Sequence, residues 1–319
     1  MGRVCIGIAS RDRPRMVAEL LESIGRLETA AELDIILVEN GDGEMLRPVV
    51  ASFAASHQQL RIHHLAEPRL GIVFARNAAL DFALKSDFDS LAFVDDDEVV
   101  TPAWMDELLA EQQRGGYDIL GGPVRAFVRA SPLRFWERAV WKGLSARFAR
   151  VEQKSADRKA GERDADIVVA TNNCLLSLDF VRNGQLRFNE RYNLTGGEDT
   201  RFFHDARARG AKTGWAPRAV VLEEMPRERL SALYQLRRAR DHALVSFHDK
   251  FDGRPAYRWV HAPVSAVLKL LSGLVLLVLA PFTSGATFFD ALRAFGEAAG
   301  RAQGLMGARR ALYTRTTGS

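Results

Sequence analysis

Three consecutive carboxylates, Asp95-Asp96-Asp97, follow directly on the apolar run Leu91-Ala92-Phe93-Val94. Four residues of that kind read as the end of a buried strand. Carboxylates at a buried strand's carboxyl end are costly unless positive charge compensates them. Two arrangements meet that demand. In one, a divalent cation with a diphosphate lies against the triplet, because hard cations take oxygen ligands. The carboxyl end of an α/β sheet is also where ligands bind. In the other, the triplet is a solvated acidic turn before a helix that starts near Pro102.

The surrounding pattern predicts an α/β fold. Val4 to Ala9 and Asp34 to Glu39 are short β-like runs, and a further strand is expected near Arg61 to Leu65. Pro14 suits the first turn of a helix running to about Leu27. Asn40-Gly41-Asp42-Gly43 is a turn signal. Gly71 opens a helix with Ala75, Ala78, Ala79, Phe82 and Ala83 on helical spacing. Strands alternating with helices imply βαβ units and a parallel sheet. Further on, Asp166 to Ala170, Cys174 to Leu178 and Trp215 to Leu222 read as strands. Gly196-Gly197-Glu198-Asp199 opens a helix, and Arg229 to Phe247 is basic and helical.

Composition narrows the function classes. The chain has 319 residues, 47% hydrophobic and 26% charged, which is globular composition. A net charge of +4 without an aromatic-interleaved basic motif excludes nucleic acid as the expected partner. The two cysteines, Cys5 and Cys174, lie in separate apolar runs and read as buried thiols. A strand that begins almost at once leaves no room for a signal peptide.

Several stretches together resemble family-2 glycosyltransferases of the GT-A fold, and are most similar to bacterial exopolysaccharide (succinoglycan-type) members. They are Cys5 to Pro14, Ile36-Leu37-Val38-Glu39-Asn40, Glu67-Pro68-Arg69-Leu70-Gly71-Ile72, and Ala75-Arg76-Asn77. Phe93 to Glu98, Thr171-Asn172-Asn173 and Thr195-Gly196-Gly197-Glu198-Asp199-Thr200 complete the set. Each piece is weak, and their order over roughly residues 3 to 245 is strong. The resemblance implies a Rossmann-like mixed sheet with C-terminal membrane-associated helices. Its expected division is a catalytic domain over 1–225 and a helical, membrane-associated region over 226–319.

The resemblance also implies an inverting transfer of one hexosyl-type sugar from a nucleotide-diphosphate donor, with Mg²⁺ or Mn²⁺. Asp95 and Asp97 fall on the D-x-D motif: Asp97 as metal ligand, Asp95 on the metal and the ribose, and Asp96 beside them on the donor side. Glu198-Asp199 falls on the catalytic carboxylates. Asp199 is the expected base on the acceptor hydroxyl, with Glu198 orienting it or touching the acceptor. An ordinary helix start is the alternative for this pair. Ser10, Arg11 and Glu39 fall where the family grips base and ribose, although Glu39 stands where Asp is usual. Arg69 and Arg76 resemble donor-side positions, with a solvated helix face as the alternative for Arg76. Some members carry a metal-binding His after the last sheet strand. Here Glu223 is the corresponding oxygen ligand, or no third ligand exists. Gln235-Leu236-Arg237-Arg238-Ala239 resembles the QxxRW motif of processive synthases, but Ala239 replaces Trp, which implies single addition. Arg238 or Arg240 could contact a diphosphate, or belong to a basic surface helix.

The C-terminal third raises a membrane question. Ala262 to Phe289 holds one charge, Lys269, in 28 residues, interrupted by Pro281 and Gly285. That exceeds the roughly 18-residue threshold for a transmembrane candidate. Sugar nucleotides are cytoplasmic, and the arginines of the tail place it on the same side. A re-entrant hairpin or interfacial helices therefore fit better than one span, with a buried core helix as the alternative. Leu133, Trp136, Val140, Trp141, Leu144 and Phe148 form a helical stripe among cations, suited to a membrane interface or to packing on the sheet. The expected place is the cytoplasmic face of the bacterial inner membrane. The expected acceptor is a polyprenyl-linked saccharide or other glycan. A non-catalytic nucleotide-sugar-binding relative, a membrane scaffold and a sugar-nucleotide pyrophosphorylase are the competing readings. The last lacks support, since Ser10 to Pro14 is no Gly-rich, Lys-containing phosphate loop.

Overall fold

A computed structural model describes residues 2–129, 132–157, 167, 169–193, 196–251, 255–283 and 285–308. The expected strand at 166–170 falls partly outside these residues, and those of it that are described, 167, 169 and 170, lie in no strand. Thr195 and the tail residues Arg309, Arg310 and Arg315 fall outside them entirely.

In chain order the elements are β1 (Val4–Ser10), α1 (Pro14–Ile24), β2 (Leu33–Glu39), α2 (Arg47–Ser56), β3 (Arg61–Ala66), α3 (Ile72–Lys85), β4 (Ser90–Val94), β5 (Glu98–Val100), α4 (Trp104–Gly115), β6 (Ile119–Gly121) and β7 (Val124–Phe127). There follow α5 (Phe135–Ala156), β8 (Asn173–Ser177), α6 (Leu178–Asn183), α7 (Glu198–Ala208), β9 (Thr213–Trp215), β10 (Val221–Glu224), α8 (Ala232–Phe251), α9 (Pro255–Leu279) and α10 (Ala286–Leu305).

Seven strands form one sheet in the order β3-β2-β1-β4-β8-β6-β9. β1 to β4 run parallel, and β8 runs antiparallel to both β4 and β6. Alternation along the strands divides the core. Ile6, Ile8, Ile35, Leu37, Ala92 and Val94 pack with Val17, Leu20 and Trp104 of α1 and α4. Cys5, Ile36, Val38, Leu91 and Phe93 pack on the other face with Val73 and Leu80 of α3 and Phe202 and Phe203 of α7. Both thiols are buried, and burial pushes Cys174 up to about 12 and Cys5 higher still. With β4 central, the Asp triplet emerges in the middle of the sheet's carboxyl edge.

A second sheet, β5-β10-β7, lies against that edge. The strand expected over Trp215 to Leu222 is two strands, β9 and β10, one in each sheet. Ala219 N donates back to Ala216 O in the turn between them, and Pro217 has no N–H for a ladder. Asn173 braces the junction. It accepts from Trp104 Nε1 at 2.9 Å and donates to the carbonyls of Pro123 and Ala219 at 3.0 and 2.8 Å.

The C-terminal helices pack through small residues. Gly296, Gly300 and Gly304 of α10 face Ala239, Ala243 and Phe247 of α8, so the two helices run parallel at close range. α9 runs antiparallel to α10: Lys269 Nζ pairs with Glu297 at 2.7 Å, and Arg301 donates to Ser265 O at 3.4 Å. The turn Ala280–Thr283 and Gly285, at φ +84°, reverse the chain between them. A Cβ on Gly300 would press on the carbonyl of Arg240 and lie 2.8 Å from the Ala243 methyl. Gly300→Leu should therefore cost about 1–3 kcal/mol by overpacking, read as a lowered Tm in detergent. An unchanged Tm would mean that α8 and α10 are not packed this closely.

The apolar stretch is no core helix. Only 11% of its most apolar window is buried, and it is long and apolar enough to cross a membrane. The stripe on α5 packs on α10 and on β7 of the second sheet: Val140 and Leu144 join Phe289, Leu292, Met225 and Leu230, with Ala126 of β7 against them. Phe135 and Trp136 stay exposed at its start.

Candidate active site

The triplet alternates. Asp95 and Asp97 open to the cleft, while Asp96 and Glu98 turn inward and are buried. Asp96 is held by Ser10 Oγ at 2.6 Å and Arg13 Nη1 at 2.7 Å. Burial still lifts its carboxyl to about 6, against the pull of Arg13. Glu98 accepts from Asp95 N and from Asn172 Nδ2, each at 3.0 Å. Burial and the neighbouring Asp95, Glu223 and Asp97 raise it well above the carboxylate range. Ser10, Asp96 and the Asn172-Asn173 pair thus form a bracket beneath the two open carboxylates.

Three arginines knit the acidic side chains together. Arg76, buried on α3, gives Nη1 to Glu198 Oε1 at 2.5 Å and Nη2 to Asp95 Oδ1 at 3.0 Å. One guanidinium thereby joins the end of β4 to the start of α7. Arg229, in the turn before α8, bridges Asp97 Oδ2 at 2.9 Å and Glu223 Oε1 at 3.0 Å. Arg13 reaches both Asp96 and, at 3.6 Å, Asp97 Oδ2. Arg13 and Arg229 had no role in the sequence reading. The signal for them is electrostatic: so many buried carboxylates need cations, and an Arg at the end of β1 or after β10 is within reach of β4.

The start of α7 is set by glycine. Gly196 and Gly197 have φ of +82° and +88°, conformations that favour a residue without Cβ. The turn sends Glu198 inward and Asp199 outward. Burial raises the Glu198 carboxyl, opposed by Arg76. Its Oε2 has no hydrogen-bond partner among the described residues. Asp199 Oδ1 accepts from its neighbour Thr200, N at 2.6 Å and Oγ1 at 3.3 Å. Asp199 lines a cavity of about 800 Å³ that also touches Asn172, Glu223, Gln235 and Arg238.

Other expected residues have different surroundings. Both oxygens of Glu39 are engaged: Oε1 accepts from Met45 N at 3.0 Å, and Oε2 from Leu46 N at 3.0 Å, with His64 Nε2 at 3.1 Å. It orders the loop that leads into α2. Arg69 forks onto Glu67 at 2.9 and 2.8 Å and lies over the Phe74 ring. Arg11 pairs with Asp12 at 3.3 Å. Arg240 pairs with Asp241 at 2.7 Å.

The open oxygens fit a hard cation. Asp97 Oδ1 and Asp95 Oδ2 accept no hydrogen bond among the described residues, while enclosure, Asp97 and Asp199 raise the Asp95 carboxyl despite Arg76. Burial and Asp97 push Glu223 up to about 7. Negative charge therefore exceeds its compensation at the cleft. No group of three or more His, Cys, Asp or Glu forms a closed metal set among the described residues. One or two carboxylates beside phosphate oxygens are the usual protein share of a Mg²⁺ site.

Comparison with known proteins agrees with this layout. The family model described as Glycosyl transferase family 2 matches residues 5–170, just over half the chain and including the Asp triplet. The succinoglycan biosynthesis protein ExoM of Rhizobium meliloti (strain 1021) is 28% identical over 235 residues, 73% of this chain and 70% of that protein. Among solved structures, the mannosyltransferase PcManGT from Pyrobaculum calidifontis, in complex with GDP-Man and Mn²⁺, superposes with a TM-score of 0.60 at 16% identity. That match covers 97% of this chain and 88% of the other. S. aureus TarS 1–349, in complex with UDP-GlcNAc, gives 0.55 at 12% identity over 96% and 92%. These likenesses establish the GT-A fold, and the family match that runs through β1 to β4 establishes the rest: the chain belongs to glycosyl transferase family 2 and is a glycosyltransferase.

Proposed function

We propose that the enzyme moves one sugar, with inversion, from a nucleotide-diphosphate donor to a hydroxyl of a lipid-linked or polysaccharide acceptor. The observation that carries this reading is the Arg76 bridge. It ties the open carboxylates after β4 to the start of α7, where Asp199 faces a cavity large enough for a saccharide.

In this reading Asp97 and Asp95 hold Mg²⁺ or Mn²⁺ through the oxygens that the arginines leave open. A cation there supplies neutralising charge to the leaving diphosphate. Asp95 also accepts from the ribose, and Ser10 and Asp96 set the height of the strand end beneath it. Asp199 takes the proton from the acceptor hydroxyl, with Oδ1 steadied by Thr200 and Oδ2 open to the cavity. Glu198, clamped by Arg76, fixes the first turn that carries it. Arg69 and Arg11 flank the donor side. Glu39 acts there through the loop that it orders rather than by direct contact.

Two features of α8 support single addition. Gln235 is buried and donates to Arg229 O, so this motif holds the arginine that contacts Asp97. Ala239 is buried against Gly296, where a Trp would not fit between α8 and α10. Residues 1–225 form the catalytic part. Residues 226–319 attach it to the cytoplasmic face of the bacterial inner membrane, with the exposed apolar side of α9 in lipid. The product's anomeric configuration by NMR tests the mechanism. Inversion relative to the donor is expected, and retention would refute an Asp199-assisted direct displacement.

A further inference from the structure

The cavity beside Asp199 has a second wall that the proposed chemistry does not use. Arg147 of α5, Arg238 of α8 and Arg293 of α10 line it, with His242 one turn beyond Arg238. These helices bring the cations together through close contacts at small residues, Gly143 against Phe289 and Gly296 against Ala239. Among the described residues Arg147 and Arg238 make no hydrogen bond or ion pair. Glu297 is already shared between Lys269 at 2.7 Å and Arg293 at 3.4 Å. Asp290 is drawn to Arg150 at 3.5 Å.

The crowding leaves its mark on the groups themselves. Arg147, Arg238 and His242 all stay accessible in the cavity. The protein packed around Arg147, then Arg293 and Arg238, shifts its guanidinium downward, with Glu297 and Asp290 opposing. The surrounding protein and the same three arginines shift His242 downward as well, with Asp199 opposing. Glu152, Glu223 and Glu297 line the same cavity, but Arg125 holds Glu152, Arg229 holds Glu223, and Lys269 and Arg293 share Glu297, which leaves no carboxylate paired with Arg147 or Arg238. Guanidinium forks held together in this way match phosphate oxygens.

The same cavity continues onto α9. His261 and Ser265 line it. From Trp259 onward α9 exposes Val260, Val264, Leu268, Leu271 and Val275, each about half or more accessible. A ligand that fills both features has a phosphate head and an apolar chain. The donor's diphosphate is the less suitable occupant, because neither Asp95 nor Asp97 lines this cavity, whereas Asp199 does.

We infer that Arg147, Arg238 and Arg293 form a binding site for the phosphate or diphosphate head of a lipid-anchored acceptor, whose apolar chain runs along α9 into the membrane. The acceptor's hydroxyl-bearing sugar then lies between that head and Asp199. This deepens the proposed function and rests on it for the acceptor. The site itself is testable without turnover.

The test uses the full chain in detergent for soluble ligands, and reconstituted for lipid. Inorganic pyrophosphate binding is measured by calorimetry. Binding of phosphatidylcholine vesicles carrying a polyprenyl diphosphate is compared with vesicles carrying phosphatidylglycerol at equal surface charge. Donor nucleotide sugars are titrated in parallel with Mn²⁺. The wild type should bind pyrophosphate and prefer the polyprenyl diphosphate vesicles. Arg147→Gln and Arg238→Gln should each weaken both about tenfold or more, as expected for a lost charge-assisted hydrogen bond. Donor affinity should be unchanged in Arg147→Gln, and a wild-type Tm in both variants reports that they are folded. Arg147→Lys should lose less than Arg147→Gln. Pyrophosphate affinity equal in wild type and both Gln variants would overturn the site. A parallel loss of donor affinity in folded variants would reassign it to the donor. Equal binding to phosphatidylglycerol vesicles would reduce it to a general anionic contact. Failure of every donor to bind the wild type, with pyrophosphate binding intact, would count against the proposed function and not against this site.

Discussion

Asp199→Asn should lower the transfer rate by about 10²–10⁴-fold, the usual contribution of a positioned general base, and leave donor affinity as it was. The substitution is nearly isosteric. Asn can keep the contact from its side-chain oxygen to Thr200 N and Oγ1 that holds Asp199 now. The turn at Gly196 and Gly197 does not involve the side chain. What is lost is a proton acceptor facing the cavity. The loss should appear in kcat, because a base acts in the transition state and contributes little to ground-state binding. Steady-state kinetics together with donor calorimetry separate these effects. A rate within a few-fold of wild type would remove Asp199 as the base.

Arg76→Met should be the most destabilising single change at the site. Both partners of Arg76 would lose their cation, and side-chain accessibility is only 7% for Arg76 and 4% for Glu198. Breaking a buried pair from one side typically costs about 3–5 kcal/mol, because the remaining charge stays buried. The pH dependence has a definite sign. Burial already holds Glu198 above its ordinary value in the folded protein, and removing Arg76 raises it further. A carboxyl whose folded pKa is raised binds protons more readily folded than unfolded, so stability rises as pH falls through that folded pKa. The defect should be largest near neutral pH and shrink on acidification towards the ordinary Glu range. Denaturant melts of both proteins across that range check it. A pH-independent difference would mean that lost packing, not uncompensated charge, is the cause.

Residue chemistry that conflicts with its neighbourhood is legible in the sequence. Three acids after an apolar run mark the end of β4, and two glycines before two acids mark the start of α7. Asp96 was less legible, because only the strand's alternation, carried past Val94, turns it inward to Ser10 and Arg13. Arg229 and Arg13 were not legible at all. An arginine acquires its role here from a partner up to 132 residues away, which no local pattern encodes. The contacts of Glu39 were not legible from residue type. One extra methylene lets its carboxylate reach the amides of Met45 and Leu46. At the C-terminus, the apolar run and its break at Pro281 could be read directly. The partner of the α5 stripe could not, since the same periodicity serves a sheet or a helix, and here it meets Phe289 and Leu292 of α10.

In the proposed reaction Asp95 and Asp97 would hold a metal against the donor's diphosphate. Calorimetry of UDP-, GDP- and dTDP-sugars with and without Mn²⁺, on the full chain in detergent and on Asp97→Ala, tests it most directly. One nucleotide class should bind only with Mn²⁺, and Asp97→Ala should abolish this binding while remaining folded. Equal affinity with and without metal, or undiminished Mn²⁺-dependent binding in Asp97→Ala, would contradict it.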